Sequence, residues 1–169
     1  MVPVVVALGS NVGDSLRYLR AAAVALRSSI SNLRASAIYR TAPMYVEDQP
    51  PFLNAAVSGD TKLGPLALLT ELKRIESQIG RQLRQRYGPR EIDLDLVAYG
   101  SLSYCGPALQ VPHPKTIERR FVLLPMHDLD PHLKLATMGS VSDLLSQTQS
   151  QPGDVVPIED ALLPISSDR

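Results

Sequence analysis

Apolar and polar residues alternate along the chain with two different periods, and the switches between them mark out the elements. Val2 to Leu8 is a short, β-branched, nearly continuous apolar run, as expected of a buried strand. It stops at the turn-rich loop Gly9-Ser10-Asn11-Val12-Gly13-Asp14. Asp14 or Ser15 can then cap a helix in which Leu16, Leu19, Ala23, Leu26 and Ile30 recur at helical spacing. A second strand is expected around Ala35 to Tyr39, running into a loop bounded by Pro43 and by Pro50-Pro51. Phe52, Asn54, Ala56 and Ser58 alternate with Leu53, Ala55 and Val57, a strand with both faces partly apolar. Gly64-Pro65 opens the clearest helix, because proline suits the first helical position. Leu66, Leu69, Leu72, Ile75 and Ile79 give it one stripe, and Gly80 is a natural stop.

Arg81 to Arg90 reads as a basic loop, and Ile92, Leu94, Leu96 and Ala98 then alternate with Asp93, Asp95, Val97 and Tyr99 as a strand. A turn, the segment Val111-Pro112-His113-Pro114, a short helix near Thr116 to Arg120 and an apolar stretch Phe121 to Leu124 follow. The order strand, helix, strand, strand, helix, strand predicts an α+β fold. It is that of a ferredoxin-like α/β sandwich, a mainly antiparallel sheet flanked by helices. Residues 1–140 are expected to form this domain. Residues 141–169 are rich in Ser, Gln and Pro, with a late apolar patch Ala161 to Ile165, and are expected to be a loosely packed or linker-like tail.

The 169 residues suit one domain with a sizeable core, and an apolar fraction of 44% argues against wholesale disorder. Lys plus Arg and Asp plus Glu number 17 each. Whole-molecule attraction to nucleic acid or an anionic membrane is therefore weak, and an anion site must come from local clustering. The lone cysteine, Cys105, excludes an intrachain disulfide and suits a reducing compartment. The N-terminal run lacks a basic leader, and no apolar stretch approaches the ~20 residues of a membrane span. The expectation is a cytoplasmic protein.

The segment Gly88-Pro89-Arg90-Glu91-Ile92-Asp93-Leu94-Asp95-Leu96 carries the strongest chemistry. Residues two apart on a strand share a face with Cα atoms about 6.6 Å apart, so Asp93 and Asp95 present neighbouring carboxylates. Such carboxylates repel unless cations sit between them, and hard oxygen ligands beside phosphates are the usual Mg²⁺ environment. Asp-x-Asp alone equally describes a solvated strand face. Arg81, Arg84, Arg86 and Arg90 lie just before it, and their planar forks can hold phosphate bidentately. An ordinary surface ion-pair cluster would use the same residues. His113, between two prolines and followed by Lys115, Arg119 and Arg120, is open to a phosphate contact or a structural role. His127 and His132 receive no role, and Cys105, in a Gly- and Pro-flanked turn, reads as incidental. The Gly9 to Asp14 loop is neither a Walker A motif nor a Gly-x-Gly-x-x-Gly fingerprint.

Five blocks occur in order: Ala7-Leu8-Gly9-Ser10-Asn11, Tyr39-Arg40-Thr41-Ala42-Pro43, Phe52-Leu53-Asn54-Ala55-Ala56-Val57, Gly88-Pro89-Arg90-Glu91-Ile92-Asp93-Leu94-Asp95 and Val111-Pro112-His113-Pro114. With them the chain resembles the 6-hydroxymethyl-7,8-dihydropterin pyrophosphokinase family from about Val4 to about Pro131. The resemblance implies transfer of the β,γ-pyrophosphoryl unit of ATP to the pterin hydroxymethyl group, leaving AMP, in folate biosynthesis. It implies that Asp93 and Asp95 hold two Mg²⁺ ions and that Arg81, Arg86 and Arg90 belong to a basic loop closing over the phosphates. His113 and Arg119 match further nucleotide contacts, and Leu96 matches a position near the adenine. Thr41, Ala42, Met44, Phe52, Asn54 and Phe121 match the pterin pocket. A flat heterocycle wants aromatic faces and amide groups, and Phe52 and Phe121 are the chain's only phenylalanines. Tyr87 stands where a tryptophan is common, and Ala108 where some members have arginine. The expected partners are the two small-molecule substrates, with no nucleic acid and no membrane, acting on a monomer. Two other classes compete: an RNA-binding ferredoxin-like module, and a non-catalytic fragment of a larger folate enzyme. The first lacks the paired aromatics of the RRM motif.

Overall fold

The computed structural model describes residues 1–43, 48–83, 86, 88–149 and 154–164. β1 (Val2–Ser10) leads into α1 (Ser15–Leu26), whose N-cap is Asp14, its carboxylate accepting the Arg17 N–H at 3.1 Å. Two strands, β2 (Ser31–Ala35) and β3 (Ala37–Thr41), replace the single strand expected around Ala35 to Tyr39. The break is Ser36, whose N–H donates to the Ala56 carbonyl and whose Oγ accepts the Ala56 N–H, so it stays tied to the neighbouring strand while the chain changes course. β4 (Phe52–Thr61), α2 (Pro65–Ile79) and β5 (Asp93–Tyr99) follow as the alternation predicts. Gly80 ends α2 at φ 110°, a left-handed position that glycine takes without strain. The buried stripe of α2 is Leu68, Leu72 and Ile75, whereas Leu66, expected within it, is 49% exposed. Ile30 joins the core although α1 ends at Leu26.

The remaining elements are β6 (Tyr104–Cys105), β7 (Gln110–Val111), a 3₁₀ turn (Pro114–Glu118), α3 (Arg120–Leu129), β8 (Lys134–Leu135), β9 (Gly139–Ser140), α4 (Val141–Gln147) and β10 (Val155–Ala161). The apolar stretch after Arg120 is thus the start of a helix. Among the described residues the main sheet has six strands in the order β10-β3-β4-β1-β5, with β2 also on β4 and every pairing antiparallel. This is the expected α+β arrangement. The described part of 141–169, expected as a loose tail, packs on the domain: Val141 and Leu144 are buried beside α3, and β10 covers the outer edge of β3. Leu162, 1% exposed, enters the core just beyond it, which gives the polar segment an apolar anchor. No described helix is long and apolar enough to cross a membrane.

The sheet separates two cores. Val4, Val6, Leu8, Leu94 and Leu96 face α1 and α2, while Val5, Ala56, Val97 and Ala98 face α3 and α4. The register between β1 and β5 slips between Val5 and Val6, which pair with Ala98 and Leu96, leaving Val97 as an extra residue. β2 crosses β4 so closely that a Cβ on Gly59 would lie 2.5 Å from both Ile30 Cγ2 and the Ser31 carbonyl oxygen. Gly59→Ala is expected to cost roughly 1–3 kcal/mol of unfolding free energy in a urea titration, because backbone must move to admit one methyl group.

Candidate active site

The antiparallel register assembles a row of side chains on the α3 face. Gly9 at the end of β1 pairs with Asn54 on one side and with Asp93 on the other, and Tyr39 pairs with Asn54 beyond. One step along, Ala7 pairs with Ala56 and Asp95. A Cβ on Gly9 would sit 3.0 Å from Asn54 Oδ1 and press on that amide, so the position suits glycine. Phe121 and Val122 at the start of α3 roof the row, and Arg119 just before them adds a guanidinium. The result is one cleft that takes in Thr41, Ala42, Phe52, Asn54 and Phe121 at one end and Arg90, Asp93, Asp95 and Arg119 at the other.

The apolar end is built around Asn54, 7% exposed, whose Nδ2 donates to Thr41 Oγ1 at 2.6 Å. That bond fixes the amide and leaves Oδ1 beside Gly9. Phe52 and Phe121 are half-buried at the same end, offering two aromatic surfaces to a flat ring.

The charged end is held by ion pairs. Asp93 Oδ1 takes Arg81 Nη1 at 2.7 Å, and Oδ2 takes Arg90 Nη1 at 2.6 Å. Burial pulls the Arg81 guanidinium down, but the charges of Asp93 and Glu76 outweigh it and leave its pKa above the ordinary value. Asp95 has no such ion pair among the described residues. It is open on its cleft side, yet protein crowds the carboxylate. That desolvation and the Asp93 charge raise its pKa to about 6, against the lowering pull of Lys73 and Arg119. Two neighbouring hard oxygen donors, one of them crowded by protein and beside a like charge, fit a divalent metal such as Mg²⁺. The Arg119 Nε is buried with no hydrogen-bond partner among the described residues, and its guanidinium carbon lies 5.9 Å from the Phe121 ring centroid. An orphaned cationic donor beside the cleft suits an anionic ligand.

Other expected site residues lie outside the cleft lining. His113 caps the 3₁₀ turn through Nδ1, which accepts the Lys115 N–H at 3.2 Å, and burial together with Arg119 and Lys115 lowers its pKa. Arg86 is exposed in the basic loop. Leu96 turns its side chain into the α1/α2 core, on the face of β5 opposite Asp95. Met44, Arg84 and Tyr87 fall outside the described residues.

Two residues without an expected role organise the cleft. Asn11, 3% exposed, donates from Nδ2 to Gln49 Oε1 and the Pro50 carbonyl, both at 3.0 Å, and accepts the Arg90 N–H at 2.9 Å. It pins the proline-flanked loop and the Gly88-Pro89-Arg90 segment to the end of β1, so the Gly-Ser-Asn block is more than a turn. Glu76, 2% exposed on α2, sits under the carboxylate strand. The polarity of Glu76 inside the stripe of α2 was the signal that could have found it.

The family profile for 7,8-dihydro-6-hydroxymethylpterin-pyrophosphokinase (HPPK) matches residues 5–131. The chain belongs to the HPPK family. It is 41% identical over 126 residues to the 2-amino-4-hydroxy-6-hydroxymethyldihydropteridine pyrophosphokinase of Bacillus subtilis, covering 73% of this chain and 75% of that protein. It is 35% identical over 150 residues to the Haemophilus influenzae protein of the same name, covering 87% and 93%. The mitochondrial folate synthesis bifunctional protein of Pisum sativum is 53% identical over 127 residues, 75% of this chain and 25% of that protein. The chain thus spans about a quarter of that plant protein's length. The crystal structure of wild-type Plasmodium falciparum HPPK-DHPS with STZ-DHP superposes with a TM-score of 0.70 at 15% identity, over 86% of this chain and 43% of that one, and shows the shared fold.

Asp95 also contributes to how stability depends on pH. Its folded pKa of about 6 exceeds the ordinary 3.8, so the native state favours the proton and ionisation opposes folding. The penalty is absent below about pH 4, grows up to about pH 6 and is constant above. In metal-free buffer Asp95→Asn is expected to raise Tm by about 2–4 °C at pH 8, allowing for solvent screening, with the gain gone at pH 4. A melting temperature lowered at pH 8 would contradict the assignment.

Proposed function

We propose that this HPPK-family chain transfers the β,γ-pyrophosphoryl group of ATP to 6-hydroxymethyl-7,8-dihydropterin, releasing AMP, in folate biosynthesis. The observation that carries the reading is the continuity of the cleft, which brings an aromatic and amide end and a carboxylate and guanidinium end into one space. The pterin lies between Phe52 and Phe121, with Asn54, held by Thr41, reading its amide edge and Ala42 completing the described part of the pocket. Arg90 and Arg119 take the phosphates from the cleft wall, and Arg81, Arg86 and His113 approach from its rim. The low pKa of His113 leaves it neutral near pH 7, a hydrogen-bond partner rather than a charge. Leu96 contributes near the adenine through its strand backbone.

Asp93 and Asp95 would hold two Mg²⁺ ions, which supply charge neutralisation at the phosphates and acidify the pterin hydroxyl. The hydroxymethyl oxygen attacks the β-phosphorus in line, the bond from that phosphorus to the α,β-bridging oxygen breaks, and AMP leaves. Arg90 and Arg119 bear on oxygens where charge develops, and holding both substrates in one cleft supplies the proximity. Closure of the basic loop over the phosphates keeps water from the reacting centre. The chain acts as a monomer on two small molecules. A cytoplasmic setting accords with the single exposed Cys105, although the name of the Pisum sativum relative places that protein in mitochondria.

Incubation with ATP, Mg²⁺ and the pterin is expected to yield AMP and not ADP. Asp95→Ala should lower turnover by about 10²–10³-fold with the circular dichroism unchanged. Near-normal AMP formation by that variant would refute the reading. Asn54→Ala is expected to raise KM for the pterin by about 10–100-fold while leaving KM for ATP within about twofold, since a buried polar edge loses its partner.

A further inference from the structure

Glu76 is a buried charge that the reaction as described does not use. Its Oε1 accepts the Leu94 N–H at 2.7 Å and the Lys73 Nζ at 3.0 Å, and its Oε2 accepts Arg81 Nη1 at 2.6 Å. Leu94 stands between the two cleft aspartates, so this carboxylate is tied to the strand that carries them. The same Arg81 nitrogen also reaches Asp93 Oδ1, and Arg90 fills Oδ2. Each oxygen of Asp93 therefore already carries a guanidinium, and a cation that binds there competes with that positive charge. Arg90 lines the cleft and can turn to phosphate. Arg81 has a second carboxylate already in contact, fixed to the backbone and unable to follow a departing arginine.

We propose that Glu76 is a positioning residue that retains Arg81 beside the cleft when a divalent cation takes the oxygens of Asp93. The inference rests on the reading of Asp93 and Asp95 as metal-holding residues. Its logic is competition: while Glu76 is charged, Arg81 can lean on it and vacate Asp93. With a neutral amide in its place, Arg81 leans on Asp93 alone and opposes the metal.

The test is a double-mutant cycle on Mn²⁺ affinity, measured by electron paramagnetic resonance without nucleotide. Glu76→Gln keeps an acceptor for the Leu94 N–H and is expected to weaken Mn²⁺ binding by about tenfold or more. In an Arg81→Ala background the same substitution should change affinity by less than about twofold, because no arginine is left to compete. Equal losses in both backgrounds would show that Glu76 acts only through its own charge and would overturn the proposal. Wild-type protein that binds no Mn²⁺ saturably, or binds it undiminished in Asp95→Asn, would overturn the metal reading itself. A second measurement needs no substitution at Glu76. In ¹⁵N-labelled wild type, the separate Nη–H signals of Arg81 should persist at saturating Mg²⁺. Their collapse to the averaged signal of a free guanidinium would equally refute retention.

Discussion

Neighbouring carboxylates on one strand repel, and this protein keeps Asp93 and Asp95 side by side. Leu94 between them is fully buried on the opposite face, so β5 cannot rotate to separate the charges. Arg81 and Arg90 neutralise the first carboxylate, and among the described residues the second has no ion-paired cation, with its pKa raised. The core thus holds in place an arrangement that electrostatics alone would disperse, and the unspent charge is what a metal-bound phosphate chain can satisfy.

The cleft follows from sheet register as much as from side-chain choice. A single row, Tyr39, Asn54, Gly9 and Asp93, crosses four strands, so the Asn54 amide and the first carboxylate lie either side of one glycine. At about 4.8 Å per strand this separates their backbones by ~10 Å. The α3 helix closes the row from above and is anchored at its far end by Asp128, which accepts the Tyr39 hydroxyl at 2.8 Å. Asn11 ties two loops to the same strand end.

Much of this was legible before any coordinates. The α2 span with its Gly64-Pro65 start and Gly80 stop, the alternation of β4 and β5, and the shared face of Asp93 and Asp95 all follow from period and local chemistry. The break at Ser36 was not, because it depends on reciprocal bonds to Ala56, twenty residues distant. Leu66 and Leu68 both suit a helical stripe, and only the packing of α2 against the sheet selects Leu68. The segment after Ser140 reads as polar because β10 is an edge strand with most of its side chains outside, and the anchoring signal is confined to a few apolar residues, Val141, Leu144 and Leu162 among them. Within the site, the resemblance implied a shared pocket for Asn54, Phe52 and Phe121, and the structure brings the three into one cleft. The roles of Asn11 and Glu76 lie in what they touch, and contacts between remote segments leave no mark on local pattern.

The central claim is that one cleft holds a metal-bound nucleotide against the two aspartates. Anomalous diffraction from crystals grown with Mn²⁺, a non-hydrolysable ATP analogue and the pterin tests it most directly. The account predicts manganese peaks within ligand distance, about 2.0–2.3 Å, of the Asp93 and Asp95 carboxylates, with the pterin between Phe52 and Phe121. Manganese and nucleotide bound elsewhere on the molecule, with those carboxylates still held by arginine alone, would contradict it.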